Sequence, residues 1–130
     1  MKLILTGRPI TKKNSQEICY NPATKRRFVR QSACYLKYEE ACLWQLKTYR
    51  GEMLTGPVEV TALYYLPDRR SHPDLVSLMQ ATGDILQKAR IIANDKFIVS
   101  WDGSRIMGVD KENPRTEITI RKVTSCFTLI

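Results

Sequence analysis

Zinc-binding spacing is missing from this chain: its four cysteines, Cys19, Cys34, Cys42 and Cys126, form no Cys-x-x-Cys pair, and no cysteine lies near its one histidine, His72. A zinc ribbon or finger is thereby disfavoured, and no zinc is expected. Secreted disulfide scaffolds are denser in cysteine, and Met1 to Gly7 is too short for a signal-peptide core, so a cytoplasmic location is expected. No apolar run approaches the roughly 20 residues of a membrane-spanning helix, which predicts no membrane partner. Internal repeats and low-complexity segments are lacking too.

What is present suits one compact domain over residues 1–130, since single cores typically serve roughly 100 to 150 residues. With 43% hydrophobic and 26% charged residues, the composition is that of a folded globular protein. Acidic residues are scarce only in the first part. Residues 1–50 hold 11 lysines and arginines against Glu17, Glu39 and Glu40, and so carry the whole net charge of +8; the remaining 80 residues hold ten of each sign. Clustered cations of this kind suit a polyanion, because phosphates reward them by releasing condensed counterions. A solvated basic face is the plainer alternative.

The patterning predicts β, helix, β, helix, β, β, β. Lys2 to Gly7 reads as a strand, and Arg8 to Arg27 as a basic loop or irregular hairpin. From Ser32, a plausible N-cap, to about Tyr49, the residues Tyr35, Tyr38, Cys42, Leu46 and Tyr49 recur at helical spacing. Val58 to Tyr64 alternates as a half-buried strand that Pro67 ends. Ser71 and Asp74 have capping-box spacing, and Leu75, Leu78, Met79, Ile85, Leu86 and Ala89 form a second helical stripe stopping near Arg90. Phe97 to Trp101, Ile106 to Val109 and Glu117 to Val123 are strand candidates, the first two joined by Asp102-Gly103, a strong hairpin dipeptide. The fold class expected is α+β, a mixed sheet packed against two main helices.

Asp74, at the start of the second helix, and Asp95, in the turn after it, stand out as carboxylates. Mg²⁺ binds through one or two carboxylates plus substrate phosphate, so two or three converging aspartates suffice for phosphodiester cleavage. Singly, each has a plain structural reading: Asp74 as a capping partner, Asp95 and Asp102 as turn residues. His72, beside Pro73 at a helix start, reads as a surface or capping residue.

Taken whole, "PDRRSHPDLVSLMQATGDILQKARIIANDKFIV", Pro67 to Val99, resembles the core signature of RusA-type Holliday junction resolvases. Its features are an acidic residue-Leu-x-x-Leu helix start, an Asp-x-Leu in the third turn, and an acidic pair after the helix. "GRPITKKNS", Gly7 to Ser15, is similar to the family's opening strand and loop. The resemblance implies catalytic aspartates at Asp74 and Asp95, with Asp84 matching the helical Asp-x-Leu. It also implies Mg²⁺, with Mn²⁺ as a substitute, and branched DNA such as a four-way junction as substrate, cut by paired nicks in recombination and repair in a bacterial or phage setting.

The chain departs from the family pattern at Val76, where a second aspartate is usual, at Gln80, where a lysine is usual, and at Asn94, often acidic. Asp102 and Asp68 are candidates for the replacement carboxylate, and Lys96 or Lys88 for the cation. The expected site is therefore Asp74, Asp95 and Asp102 as catalytic metal ligands with Lys96. DNA contacts are expected from Lys12, Lys13, Asn14, Lys25, Arg26, Arg27, Arg30, Arg69 and Arg70, with Tyr20 and Phe28 placed to stack on exposed bases. A helix from Asp74 to Arg90 is ~24 Å long, and five further residues span at most ~18 Å, so the two aspartates are expected to meet across a homodimer with shared sites. Asp84, ten positions along, is expected to have a buried structural role or a dimer contact. Alternatives are a catalytically blunted binder of branched DNA, and an RNA-binding module.

Overall fold

In the computed structural model, residues 1–12, 16–31, 33–70 and 72–123 are described, and Ser32 and Ser71, the expected caps, lie outside them. The strands are β1 (Lys2–Thr6), β2 (Gln16–Asn21), β3 (Arg26–Gln31), β4 (Val58–Leu66), β5 (Ile98–Ser100), β6 (Arg105–Val109) and β7 (Arg115–Lys122). Two helices, α1 (Ala33–Leu46) and α2 (Leu75–Lys88), complete the α+β architecture.

The main sheet is mixed. β7 lies antiparallel between β1 and β4, while β5 and β6 both run parallel to β4 along its other edge. Parallel neighbours need a crossover of a dozen or more residues, and α2 supplies it between β4 and β5. β4 alternates strictly, with Val58, Val60, Ala62, Tyr64 and Leu66 buried. Val58, Val60, Ala62 and Tyr64 meet the apolar stripes of both helices, Tyr35, Tyr38, Cys42 and Leu46 from α1 and Leu78, Ala81, Ile85 and Leu86 from α2. Each buried valine, leucine and isoleucine among them contributes roughly 1.5–3 kcal/mol by leaving water. Burial also pushes the Cys42 thiol up to about 11, so it packs as a neutral group.

Several expectations need correction. The basic stretch is a regular hairpin: β2 pairs with β3 from Gln16↔Gln31 to Asn21↔Arg26. Its turn is set by the Asn21 carboxamide, which accepts from the Ala23 amide, and by Lys25 at φ 55°. α1 ends at Leu46, and Tyr49 follows in a tighter turn while still packing on the core. On α2 the N-cap is Asp74 itself, because the Leu78 amide bonds to the Asp74 carbonyl and begins the helical ladder. Arg90, at φ 59°, bends the chain away after the C-terminus.

Asp102-Gly103 does not make a hairpin. A type I′ turn needs positive φ at both central residues, and here only Gly103 has it, at 82°. The Ser104 amide closes the turn onto the Trp101 carbonyl, and Thr61 on β4 donates to the Asp102 carbonyl. The turn is therefore a kink between β5 and β6, which follow the same edge in one direction. The Ser104 hydroxyl accepts from the Ala62 amide across the gap.

Candidate active site

The turn after α2 doubles back on the helix. Ile91 and Ile92 are fully buried and draw the chain inward, the Asn94 carboxamide accepts from the Lys96 amide, and the Gln87 side chain accepts from the Asp95 amide. Asp95 thereby lands against Gly83, in the middle of α2: a β-carbon placed on Gly83 would lie 3.9 Å from Asp95 Cβ. Asp95 therefore stands over the middle of α2 and not past its end. Gly83 lies only about 13 Å along the axis from Asp74 at 1.5 Å per residue.

A cleft of about 270 Å³ opens there, lined by Val76, Met79, Gln80, Gly83, Asp95, Ile98 and Trp101. Val76, Gln80 and Gly83 occupy one face of α2 at spacings of four and three. The two positions at which the chain departs from the resolvase pattern, 76 and 80, thus share a cleft with Asp95. Asp74 is exposed at the mouth of the helix and accepts from the Ser77 hydroxyl, but it does not line the cleft.

The other candidates are spread out. Asp102 is exposed in the kink over Thr61, outside the cleft lining, and Lys96 is exposed beside Asp95. Asp68 accepts from the Arg70 amide, and Arg69 and Arg70 are exposed ahead of α2. Among the described residues no three histidine, cysteine or acidic side chains converge. Lys25, Arg26 and Arg27 are exposed at the hairpin tip, with Tyr20, 60% exposed, opposite Arg27. Lys13 and Asn14 lie outside the described residues, as do the side chains of Phe28 and Arg30.

Lys12 is not a free phosphate contact. Its ammonium lies 2.8 Å from Asp84 Oδ2, which Lys88 also approaches at 3.3 Å. Lys88 in turn donates to both oxygens of Glu39 on α1, at 2.9 and 3.0 Å, and the Tyr35 hydroxyl donates to Glu39 Oε2. Burial pushes the Asp84 carboxyl up, but Lys12 and then Lys88 outweigh it and hold it below the usual carboxylate range. Asp84 is thus half-buried and held by two lysines of its own chain.

Sequence reading missed Gly83, Gln87, Trp101 and Glu39. Of these, a glycine inside a helical pattern is a recognisable sign of close approach, and Glu39 falls on the apolar stripe of α1, one residue past Tyr38. Gln87 carries no such mark.

The α+β frame carries a carboxylate-bearing cleft on its crossover helix and, elsewhere on the chain, a strongly basic hairpin. Residues 4–121 match the family model described as Endodeoxyribonuclease RusA, and the chain belongs to that family. It is thereby an endodeoxyribonuclease by class. Comparison with individually curated proteins finds no match. No helix among the described residues is long and apolar enough to cross a membrane.

Proposed function

We propose that this chain is a metal-dependent endonuclease that resolves four-way and other branched DNA junctions by paired nicks, acting in the cytoplasm in recombination and repair. The observation that carries the reading is the return of Asp95 onto the Val76–Gln80–Gly83 face of α2, on a chain whose family is that of RusA endodeoxyribonucleases.

Asp74 and Asp95 are exposed hard-oxygen donors, which fit Mg²⁺, an ion that takes one or two carboxylates and completes its shell with waters and substrate phosphate. When bound, it activates a water and offsets charge developing on the phosphodiester. The chain's own residues do the rest. The Gln87 carboxamide and the close approach at Gly83 fix Asp95, and Lys96 lies next to it to assist the leaving oxygen. Lys25, Arg26 and Arg27 with Arg69 and Arg70 grip the sugar-phosphate backbone, which positions DNA without reading sequence. Tyr20 offers a stacking face at the branch point.

A junction is roughly twofold and needs two symmetric cuts, so the acting species in this reading is a homodimer. Asp74 lies outside the cleft that holds Asp95, and in this reading a second copy supplies the Asp74 that completes the site.

One observation favours a second reading, a junction binder with blunted catalysis: Val76 and Gln80 leave Asp95 as the sole carboxylate among the described residues that line the cleft. One assay separates the readings. The protein is mixed with four-way junction, linear duplex or structured RNA, in Mg²⁺ or chelator. Paired nicks in the junction, lost in Asp74→Asn and Asp95→Asn while binding survives, are expected. Junction binding without nicks in Mg²⁺ or Mn²⁺ selects the binder, and preference for RNA rejects both.

A further inference from the structure

The basic segment after β1 is tied to the helix that carries the cleft. Lys12 comes from that segment, four residues before β2, while Asp84 and Lys88 sit one turn apart on α2 and Glu39 on α1. The four charges balance, two of each sign. Asp84 Oδ2 is buried, and its neighbours are the two ammonium nitrogens. Lys12 also lies 5.9 Å from the centroid of the Tyr35 ring, which is itself fully buried and donates to Glu39. Asp84 follows directly after Gly83, the residue against which Asp95 packs.

We infer that Asp84 is a positioning residue for DNA binding: it holds Lys12, four residues ahead of the basic β2–β3 hairpin, against the helix that carries the Asp95 cleft. The inference rests on the reading of that hairpin as the surface that grips DNA. Lys12 then acts inside the protein and not on a phosphate.

Charge and positioning give opposite signs, which makes the test decisive. On charge alone, Asp84→Asn adds to the positive balance and tightens junction binding, and Lys12→Met lowers the salt dependence by about 0.9 in log–log slope, the share of one neutralised phosphate. On positioning, Asp84→Asn and Lys12→Met each weaken binding by about tenfold. The salt slope of Lys12→Met then matches wild type, and the double variant is no weaker than either single one. Binding is read by fluorescence anisotropy of labelled four-way junction in chelator, so cleavage does not enter. A second arm needs no DNA: amide hydrogen exchange at Ile10, Thr11 and Lys12 should speed up in Asp84→Asn while β4 and β7 keep their protection. Tighter or unchanged binding by Asp84→Asn overturns the inference, as does unchanged exchange at those three amides. If Asp84→Asn fails to fold, Lys12→Met decides through its salt slope and its exchange. If wild type binds no junction, the proposed function fails, and the exchange arm still decides the tie.

Discussion

Asp95 packs over Gly83 so closely that a methyl group on the glycine would touch it, at 3.9 Å, together with Ile98 Cδ1 at 3.5 Å and Trp101 Cζ2 at 3.6 Å. These are ordinary contact distances. Gly83→Ala therefore needs no rearrangement and removes a helix-interior glycine, which should stabilise the fold by up to about 1 kcal/mol. Denaturant unfolding should show the gain, with junction cleavage kept within about tenfold of wild type. Gly83→Leu, which fills the cleft, should abolish cleavage in protein that remains folded. Full activity in Gly83→Leu would place the chemistry elsewhere.

Val76 and Gln80 present a constructive test. Both line the cleft with Asp95, and Val76 is 55% exposed, so a carboxylate there needs little desolvation. Val76→Asp puts a second hard ligand on the face that Asp95 approaches, and Gln80→Lys adds a cation one turn on. The double variant should cut junctions at least about tenfold faster at limiting Mg²⁺ and need less metal for half-maximal rate. A rate and metal dependence equal to wild type would mean that these positions do not face the reacting phosphate.

The sequence was most readable where a period repeats one physical constraint. β4, both helical stripes and the α+β class follow from alternation and from 3–4 spacing, because burial on one face enforces them. The position of Asp95 was not readable in the same way. It depends on Ile91 and Ile92 turning inward and on a single hydrogen bond from the Asp95 amide to Gln87, neither of which has a sequence period. Asp102-Gly103 misled because the dipeptide fixes a turn and not its type; a kink pinned to Thr61 satisfies the glycine equally well. Lys12 looked like one more cation in a basic run, and only the fold reveals Asp84 beside it.

The anchoring of α2 on β4 makes an asymmetric prediction. Tyr64 and Thr82 are buried, their hydroxyls 2.6 Å apart, and the Thr82 hydroxyl donates to the Leu78 carbonyl. Tyr64 is thus the donor to Thr82. Tyr64→Phe removes that donor and leaves Thr82 paired with Leu78, at a cost of about 1 kcal/mol. Thr82→Val strands the Tyr64 hydroxyl in the core, which costs about 1–3 kcal/mol. Urea unfolding should rank Thr82→Val as the more damaging; the reverse order would contradict the donor assignment.

The tie between Lys12, Asp84 and Lys88 predicts a pH window for stability. Burial raises the Asp84 carboxyl, but the two lysines outweigh it, so its pKa in the folded chain lies below the unfolded value near ~3.9. A carboxyl shifted in this direction stabilises the fold above its unfolded pKa, and the contribution disappears as pH falls through the folded one. Lys88 has the opposite sense: burial lowers it, Glu39 and Asp84 more than offset this, and its raised pKa stabilises below ~10.4 and is lost on going higher. The stability difference between wild type and Asp84→Asn should therefore be flat from about pH 5 to neutrality and shrink below about pH 4. Urea midpoints for both proteins between pH 3 and pH 7 would measure it. A difference that stays constant down to pH 3 would show that the Asp84 charge contributes nothing to holding Lys12 and Lys88 in place.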